Sequence, residues 1–452
     1  MTTTRRNVLT TALFGASYIG LRSLVTGIPV AILAKGRKAF ADGTVDTCAN
    51  SAAAQFVIIS TSGSGDPINA NAPGTYGPSD IFHCPDVAGQ PSMVGTNMTV
   101  NGVKTMGALP WATLLPQPVL DKTCFWHIMT NTPVHPKETD VLKLLDTTTP
   151  NEMLPSLLGK QLQPCLGTIQ AQPISVGAST PSEGLSFDGA DLPNIPPTAL
   201  AAMLTNPTKS PLSNLNALQS LRDDTLGKLN AIYKTSATPA QSKYIDSLVT
   251  SQSQVRSINQ KLLSMLSTLP TDPVEAQITA ALALIQMKVT PVITIHIPFG
   301  GDNHSDPTFN NEATQTTSGV GHIASLMSQL QTLGLDQQVT FMTLNVFGRT
   351  IGAYNNAGRQ HNQYHQVSLT ISSRIKGGIV GGIAHQTIGG QTDYGCLPIN
   401  SSSGAGDPNG DIVQTDTLAS FGKTVLASVG VDSATIDSVI GTGKVVSGVL
   451  PS

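Results

Sequence analysis

The chain has 452 residues, of which 40% are hydrophobic, 4% aromatic and 12% charged. This hydrophobic content is sufficient for a large core, and 42 glycines and 30 prolines predict many loops and turns. Six of the 25 basic residues and none of the 28 acidic residues lie in the first 41 positions, so the remainder has a net charge near −9. An acidic balance argues against a nucleic-acid partner, which requires a basic surface.

The N-terminus carries an export pattern. Arg5 and Arg6 form an adjacent pair, an apolar stretch follows over 8–34, and Ala39-Phe40-Ala41 fits a small-residue cleavage site. We therefore expect a twin-arginine signal over 1–41, recognition by the twin-arginine translocase, and a periplasmic or secreted location. The alternative is a retained membrane anchor, since a span takes about 20 apolar residues. Arg22 in the middle of this stretch disfavours the anchor, and no stable membrane span is expected after cleavage.

The rest of the chain, 42–452, is expected to form one α/β domain. Apolar runs predict buried strands at 55–61 and 124–130, and a helix is predicted at 137–145. Segments rich in glycine and proline are predicted to be irregular, namely 74–118 and 147–196. Apolar residues spaced by three and four predict helices at 197–205, 214–233, 239–266 and 272–287. We interpret 197–287 as a helical insertion in which 214–266 forms a hairpin.

The C-terminal third alternates strands and helices. Strands are predicted at 289–299 and 339–347, with a helix at 317–333 between them, which is typical of a parallel sheet. A further strand at 366–372 and a helix at 415–429 follow.

Five cysteines are present and no Cys-x-x-Cys occurs, which argues against a zinc cluster or a thioredoxin-type motif. Outside the cytoplasm one or two disulfides can form, and the odd count leaves at least one free thiol. Cys124 lies in an apolar run and is expected in the core, whereas the pairing cannot be read from the spacing.

Polar residues follow each predicted buried strand. They are Asp66 after the first, Thr132 and His135 after the second, Asp302 and His304 after the third, and Arg349 after the fourth, with His361 and His365 in a later loop. In parallel sheets the carboxyl ends of the strands meet at one crevice, so these groups are expected to converge. Isolated loop residues of these types are more often caps or surface groups.

Carboxylate and imidazole groups spaced as Asp-x-His suit zinc, manganese or iron, which activate water or a phosphoryl oxygen. Arg349 has two interpretations of equal weight: a bidentate clamp for phosphate or sulfate, or a salt bridge at a strand end. His361 and His365 would share a helix face, but their flanking residues favour a loop. His322 and His385 are expected to be structural or surface residues.

Four motifs resemble a known family, the twin-arginine-exported bacterial sulfatase-like proteins of unknown function, placed in the alkaline-phosphatase/sulfatase superfamily. The motifs are the glycine-rich run 63–73, Gly301-Asp302-Asn303-His304, Phe347-Gly348-Arg349-Thr350, and the glycine turn 377–381. The likeness covers about 55–145 and 285–430. It implies an alkaline-phosphatase-like, mixed and mostly parallel sheet between helices, with divalent metal ions at the strand ends.

By this resemblance Asp66, Asp302 and His304 are direct metal ligands, and His361 or His365 supplies another. His135 stands in the family's Ser-His pair, whose serine is Val134 here. The family's glutamate before Phe-Gly-Arg-Thr is Val346, and its Asp-His-Gly run reads Gln360-His361-Asn362. Two carboxylates and a hydroxyl are therefore missing, with Thr132 as a replacement hydroxyl.

Two functions follow from these observations. The first is a metal-dependent hydrolase of phosphate or sulfate esters, in which Thr132 or water attacks and Arg349 holds a small anionic substrate. The second is a family member that has lost catalysis and binds a ligand or an envelope component. The missing anions favour the second function or a single-metal site, and fold analogy cannot decide between them.

Overall fold

A computed structural model gives the structure of the protein. It describes residues 52–65, 68–86, 88–89, 91–145, 152–168, 170–177, 184–205, 216–239, 241–242, 245–246, 265–266, 268–299, 302–352, 358–388 and 390–451. The predicted signal over 1–41, residue Asp66 and most of the predicted helix at 239–266 lie outside these ranges.

A seven-stranded sheet forms the centre of the fold, and its strands are largely those that apolar runs predict. In spatial order it consists of β13 (Gly378–Val380), β4 (Thr123–Ile128), β12 (Gln366–Ile371), β9 (Val339–Asn345), β1 (Phe56–Ser62), β8 (Val292–Ile295) and β5 (Ile174–Ser175). Smaller antiparallel pairs are β2 (Gly95–Val100) with β3 (Val103–Ala108), β6 (Ser186–Phe187) with β7 (Ala190–Asp191), β10 (Gly348–Arg349) with β11 (His361–Asn362), and β14 (Ile383–Ile388) with β15 (Gln391–Cys396).

The central sheet is mostly parallel. β1 is parallel to both of its neighbours, β8 and β9, and β5 and β13 are parallel to their partners. β12 runs antiparallel to both β4 and β9, so β4 points in the same direction as the rest. The predicted strand–helix–strand unit is confirmed as parallel, although β1 inserts between its two strands.

Helices cover both faces of the sheet, as expected because each strand is apolar on both sides. Alternate residues of β1 enter different clusters: Phe56 and Ile58 pack on one side, Val57 and Ile59 on the other. On the first side lie α1 (Leu109–Leu114), α5 (Pro197–Thr205), α7 (Pro273–Gln286) and α8 (Asn310–Thr332). On the second side lie α3 (Glu138–Leu142), α4 (Leu154–Leu166), α9 (Thr417–Ser428) and α10 (Ser433–Val439). Two further helices are α2 (Gln117–Leu120) and α6 (Asn216–Ser236).

The prediction of irregular structure over 74–118 is wrong for the second half of this segment, where β2 and β3 form a hairpin. Asn101 and Gly102 connect the two strands with positive φ values of 48° and 79°. Both positions therefore lie in the left-handed region, which a type I′ turn requires and which Asn-Gly favours. This dipeptide was the available sequence signal, and its neighbours alternate too weakly in polarity to predict strands.

The prediction of irregular structure over 147–196 is also wrong in part, because this segment contains the helix α4. Pro155 occupies the first turn of α4. Backbone N–H groups in the first turn have no acceptor within the helix, so proline, which has no N–H, loses no hydrogen bond there. Pro164 lies inside the last turns of the helix. Buried leucines such as Leu158 and Leu162 attach the helix to the sheet, and this packing outweighs the helix-breaking tendency of proline.

Cys124 is buried in the core as expected, and Cys84 and Cys396 are also buried free thiols. Cys165 is disulfide-bonded. Among the described residues, no helix is long and apolar enough to cross a lipid bilayer.

Candidate metal centre

The direction of the strands decides which loops meet. The segments after β1, β4, β8 and β9 leave the same edge of the sheet because these strands are parallel in direction. The antiparallel β12 starts at that edge, so the segment before it, 361–365, arrives there too. The register of β10 and β11 then pairs Arg349 directly with His361. The predicted convergence at one edge thus occurs for the described loops.

Three of the predicted residues form a compact group. A ligand atom from each of His135, Asp302 and His361 lies within 4.8 Å of the other two. The residues come from three distant parts of the chain and are brought together only by the sheet. Ligands of one zinc ion lie about 2.0–2.2 Å from it, and therefore at most about 4.4 Å from one another, which is close to the spacing of this group.

Backbone carbonyls fix the tautomer of both histidines. Nδ1 of His135 lies 2.7 Å from the Gly63 carbonyl oxygen, and Nδ1 of His361 lies 2.6 Å from that of Pro133. A carbonyl oxygen only accepts, so each Nδ1 carries a proton, and in the neutral imidazole Nε2 is then the nitrogen with the lone pair. Metal-binding histidines are commonly oriented in this way, through the ring nitrogen that does not bind the metal.

The donor set fits a divalent cation of the zinc class. Nε2 of His361 is buried and has no hydrogen-bond partner within the described residues. A buried lone pair without a partner is costly unless a cation or water completes it. Two imidazoles and one carboxylate are also the set found in catalytic zinc sites that keep an open position.

Asp302 is oriented by two basic side chains. Its Oδ1 accepts hydrogen bonds from Nη2 of Arg349 at 2.8 Å and from Nδ1 of His304 at 2.5 Å. Burial acts to raise the pKa of Asp302, but the charge of Arg349 and the bond from His304 outweigh it and lower the pKa below its usual value. The carboxylate is therefore ionised at neutral pH, and both described bonds leave Oδ2 available as a ligand atom.

Arg349 is buried beneath this group and connects two loops. Its Nε donates to the Gly65 carbonyl at 2.6 Å, and Nη2 reaches the Ser64 carbonyl at 3.3 Å. Of the two interpretations of Arg349, the structure contains the ion pair, formed with Asp302. Nη1 also lies 3.3 Å from a ring nitrogen of His304, so positive charge is concentrated on this side of the site.

Phe347 packs against both histidines and lies beside Arg349. Its ring meets His135 edge-on with centroids 4.8 Å apart and is tilted against His361 at 4.2 Å. The guanidinium carbon of Arg349 lies 5.3 Å from the centroid of the same ring. Burial lowers the pKa of His361; the hydrogen bond to the Pro133 carbonyl acts to raise it, and the nearby charge of Arg349 lowers it further. The imidazole is therefore neutral at pH 7, the form that binds metal.

The other predicted residues have different positions. His304 touches the group, with its ring 4.7 Å from that of His361, but it is bonded to Asp302 and is not one of the three converging ligands. Thr132 is buried and immediately precedes Pro133, whose carbonyl orients His361. Asp66 lies outside the described residues.

His365 lies away from the three-ligand group. It is fully buried, and its Nε2 is 2.9 Å from Nδ1 of His127, whose own Nε2 bonds to the Pro73 carbonyl. The two rings stack with centroids 5.2 Å apart. Sequence spacing gave no indication of this pair, because it requires β4 and the start of β12 to be neighbours.

Sequence reasoning also missed the groups that orient the ligands. The carbonyls of Gly63 and Pro133 and the ring of Phe347 carry no sequence signal of a metal site. Gly63 and Phe347 lie in the quoted motifs that contain Asp66 and Arg349, and Pro133 follows the candidate Thr132; this placement alone pointed to the region. Val346, where the resemblance leads one to expect a glutamate, is fully buried in the apolar core and brings no carboxylate to the site.

Comparisons with known proteins add no assignment. No protein-family model matches this chain, and no curated protein matches it significantly.

Proposed function

We propose that the protein is an extracytoplasmic metal-dependent hydrolase of phosphate or sulfate esters, related to the sulfatase-like family of the alkaline-phosphatase/sulfatase superfamily. One observation carries the proposal: a ring nitrogen from each of two histidines and a carboxylate oxygen converge within 4.8 Å, with both histidines oriented by backbone carbonyls. We assign His135, Asp302 and His361 as the residues that hold one divalent cation, zinc or manganese. When bound, such a cation supplies Lewis-acid polarisation of a phosphoryl or sulfuryl oxygen.

The protein's own residues would perform the remaining tasks. Arg349 holds Asp302 in place and contributes positive charge toward a small anionic substrate. His304 donates a hydrogen bond from its Nδ1–H to Asp302, and we assign its Nε2, which lies 3.4 Å from Nη1 of Arg349, as a base that accepts and returns a proton. Thr132 remains the proposed hydroxyl nucleophile, with water as the alternative. Asp66 and His365 stay proposed ligands from the resemblance, and His365 would have to leave its bond with His127.

A second function is favoured by the charge of the site. A single carboxylate belongs to the three-ligand group of the described residues, and Val346 replaces the expected glutamate. A two-metal hydrolase needs more anions than this to offset the cations. The alternative is therefore a catalytically inactive relative that binds metal and an envelope component or small anion.

Metal analysis combined with an activity assay tests the proposal. The mature protein, purified and loaded with Zn²⁺ or Mn²⁺, is expected to retain about one ion per chain and to hydrolyse an aryl phosphate or an aryl sulfate. His361→Ala should lose both properties, whereas His385→Ala should keep both, because His385 bonds to Asp80 and Tyr394 away from the site.

The outcomes separate the two functions. One ion per chain without turnover of either ester would support the binding function. Failure of the wild-type protein to retain any ion would contradict both assignments of the site.

A further inference from the structure

A buried ion pair lies beneath the candidate metal centre. Nε of Arg359 contacts Oε2 of Glu312 at 2.5 Å, and Nη2 contacts Oε1 at 2.9 Å. The side chains are 2% and 7% exposed. Burying two charges costs free energy unless hydrogen bonds satisfy their remaining donors and acceptors. The groups that form these hydrogen bonds show which segments the ion pair connects.

The pair is connected to the loop that carries Asp302. The side-chain amide of Asn303 donates to Oε2 of Glu312 at 2.6 Å, and the Asn303 carbonyl accepts from the Arg359 backbone N–H at 3.1 Å. Asn303 is 5% exposed, whereas its neighbours Asp302 and His304 are open to solvent. The loop is thus anchored at its middle residue, while Asp302 is exposed and His304 half-exposed.

The same pair is connected to the segments that carry Arg349 and His361. Nη1 of Arg359 donates to the Thr350 carbonyl at 3.0 Å, one residue after Arg349. Arg359 itself lies two residues before His361. Glu312 and Arg359 therefore attach the segment of one ligand to the segment of another.

We propose that Asn303 is a positioning residue for the metal centre: it ties Asp302 to the buried Glu312–Arg359 pair and so sets the spacing between Asp302 and His361. This inference rests on the proposed metal site and adds the device that organises it. Groups that orient metal ligands through hydrogen bonds typically change affinity by about 10–100-fold when removed.

The chain offers a matched control. Asn71 is also buried and donates to the same carboxylate, with its amide 3.0 Å from Oε1 of Glu312. Asn71 lies eight residues after Gly63, whose carbonyl orients His135, and five after Asp66, but none of the three ligands in the group is adjacent to it in the chain. Replacing either asparagine by alanine removes one amide donor from Glu312 and leaves the Arg359 contact in place. If Asn303 only stabilised the fold, as Asn71 does, the two alanine variants would change metal affinity equally.

Co²⁺ titration followed by visible absorption, together with thermal unfolding of the metal-free protein, tests the inference. Asn303→Ala and Asn71→Ala should lower Tm by similar amounts. Only Asn303→Ala should weaken Co²⁺ binding, by about 10–100-fold, and shift the absorption bands that report ligand geometry.

Equal Co²⁺ affinities of the two variants would overturn the positioning role while leaving the metal site intact. A wild-type protein that binds no Co²⁺ would instead overturn the proposed function and this inference with it. If Asn303→Ala does not fold, Asn303→Gln gives the same comparison, because it keeps the amide donor but displaces it by one methylene group.

Discussion

Arg349 donates a 2.8 Å hydrogen bond to Asp302 from a guanidinium that is only 2% exposed, although the carboxylate it holds is 53% exposed. An exposed carboxylate, proposed as a metal ligand, is thus oriented by a buried guanidinium. The same guanidinium holds the Gly65 carbonyl, so the position of Asp302 is coupled to the loop after β1.

Replacing Arg349 by lysine should weaken this arrangement. An ammonium group cannot bond to Asp302 and the two loop carbonyls in the fixed geometry of a guanidinium. We expect Arg349→Lys to reduce Co²⁺ affinity about 10–100-fold, measured by titration. Arg374→Lys is the control, since Arg374 donates to the Ala52 carbonyl far from the site. Unchanged affinity in Arg349→Lys would show that Asp302 does not depend on this bond.

Replacing Gly358 by alanine should push the loop that carries Asp302 away from the segment that carries His361. A Cβ there would lie 2.0 Å from the Asn303 carbonyl oxygen and 2.8 Å from that of His304, and its φ is +91°. Gly390 has a φ of +83° but open space around it. Both alanine variants should lose about 1–2 kcal/mol to backbone strain. Gly358→Ala should lose more in thermal unfolding and should also bind Co²⁺ more weakly, whereas Gly390→Ala should bind normally.

Acid should destabilise the fold through the buried histidine pair. Burial lowers the pKa of His127 to about 4, and burial followed by the charge of His127 lowers the pKa of His365 well below its usual value. As pH falls from about 6.5 toward 4, the unfolded chain takes up protons that the folded pair excludes, so stability present at higher pH is lost.

For His127 this loss amounts to about 2 kcal/mol between pH 7 and pH 5. Urea unfolding at the two pH values measures it. His127→Gln should show a smaller loss between these pH values than the wild-type protein, while His385→Gln should match the wild type because His385 is exposed. A pH dependence that is identical in all three proteins would exclude the pair as its source.

Export should depend on the arginine pair. Replacing Arg5 and Arg6 together by lysine is expected to leave the protein inside the cell, because the translocase recognises the paired guanidinium groups. Fractionation of cells expressing either form measures this, and sequencing of the exported wild-type protein should give an N-terminus near Asp42. Arg37→Lys is the control, because Arg37 lies close to the expected cleavage site and outside the pair. Normal export of the double variant would contradict the signal assignment.

The sequence alone predicted the elements whose apolar pattern is strong. The runs that became β1, β4, β9 and β12 are continuous enough to identify buried strands, since a strand covered by helices on both faces needs apolar residues at every position. Hairpins such as β2–β3 and the helix α4 were missed, because their stability comes from a turn conformation or from packing rather than from a local pattern. The sequence also named His135, Asp302 and His361 as candidates, from their place after strands.

Only the tertiary structure decided which candidates meet. The sequence placed His361 and His365 in one loop and named either as a ligand. In the structure the start of β12 directs His365 into the interior against His127, while the β10–β11 ladder brings His361 beside Arg349. The direction of one antiparallel strand determines this, and strand direction depends on pairing between distant segments. The sequence could not predict the tautomers of the two histidines either. They are fixed by the carbonyls of Gly63 and Pro133, and a backbone carbonyl is present at every residue, so it leaves no pattern in the sequence.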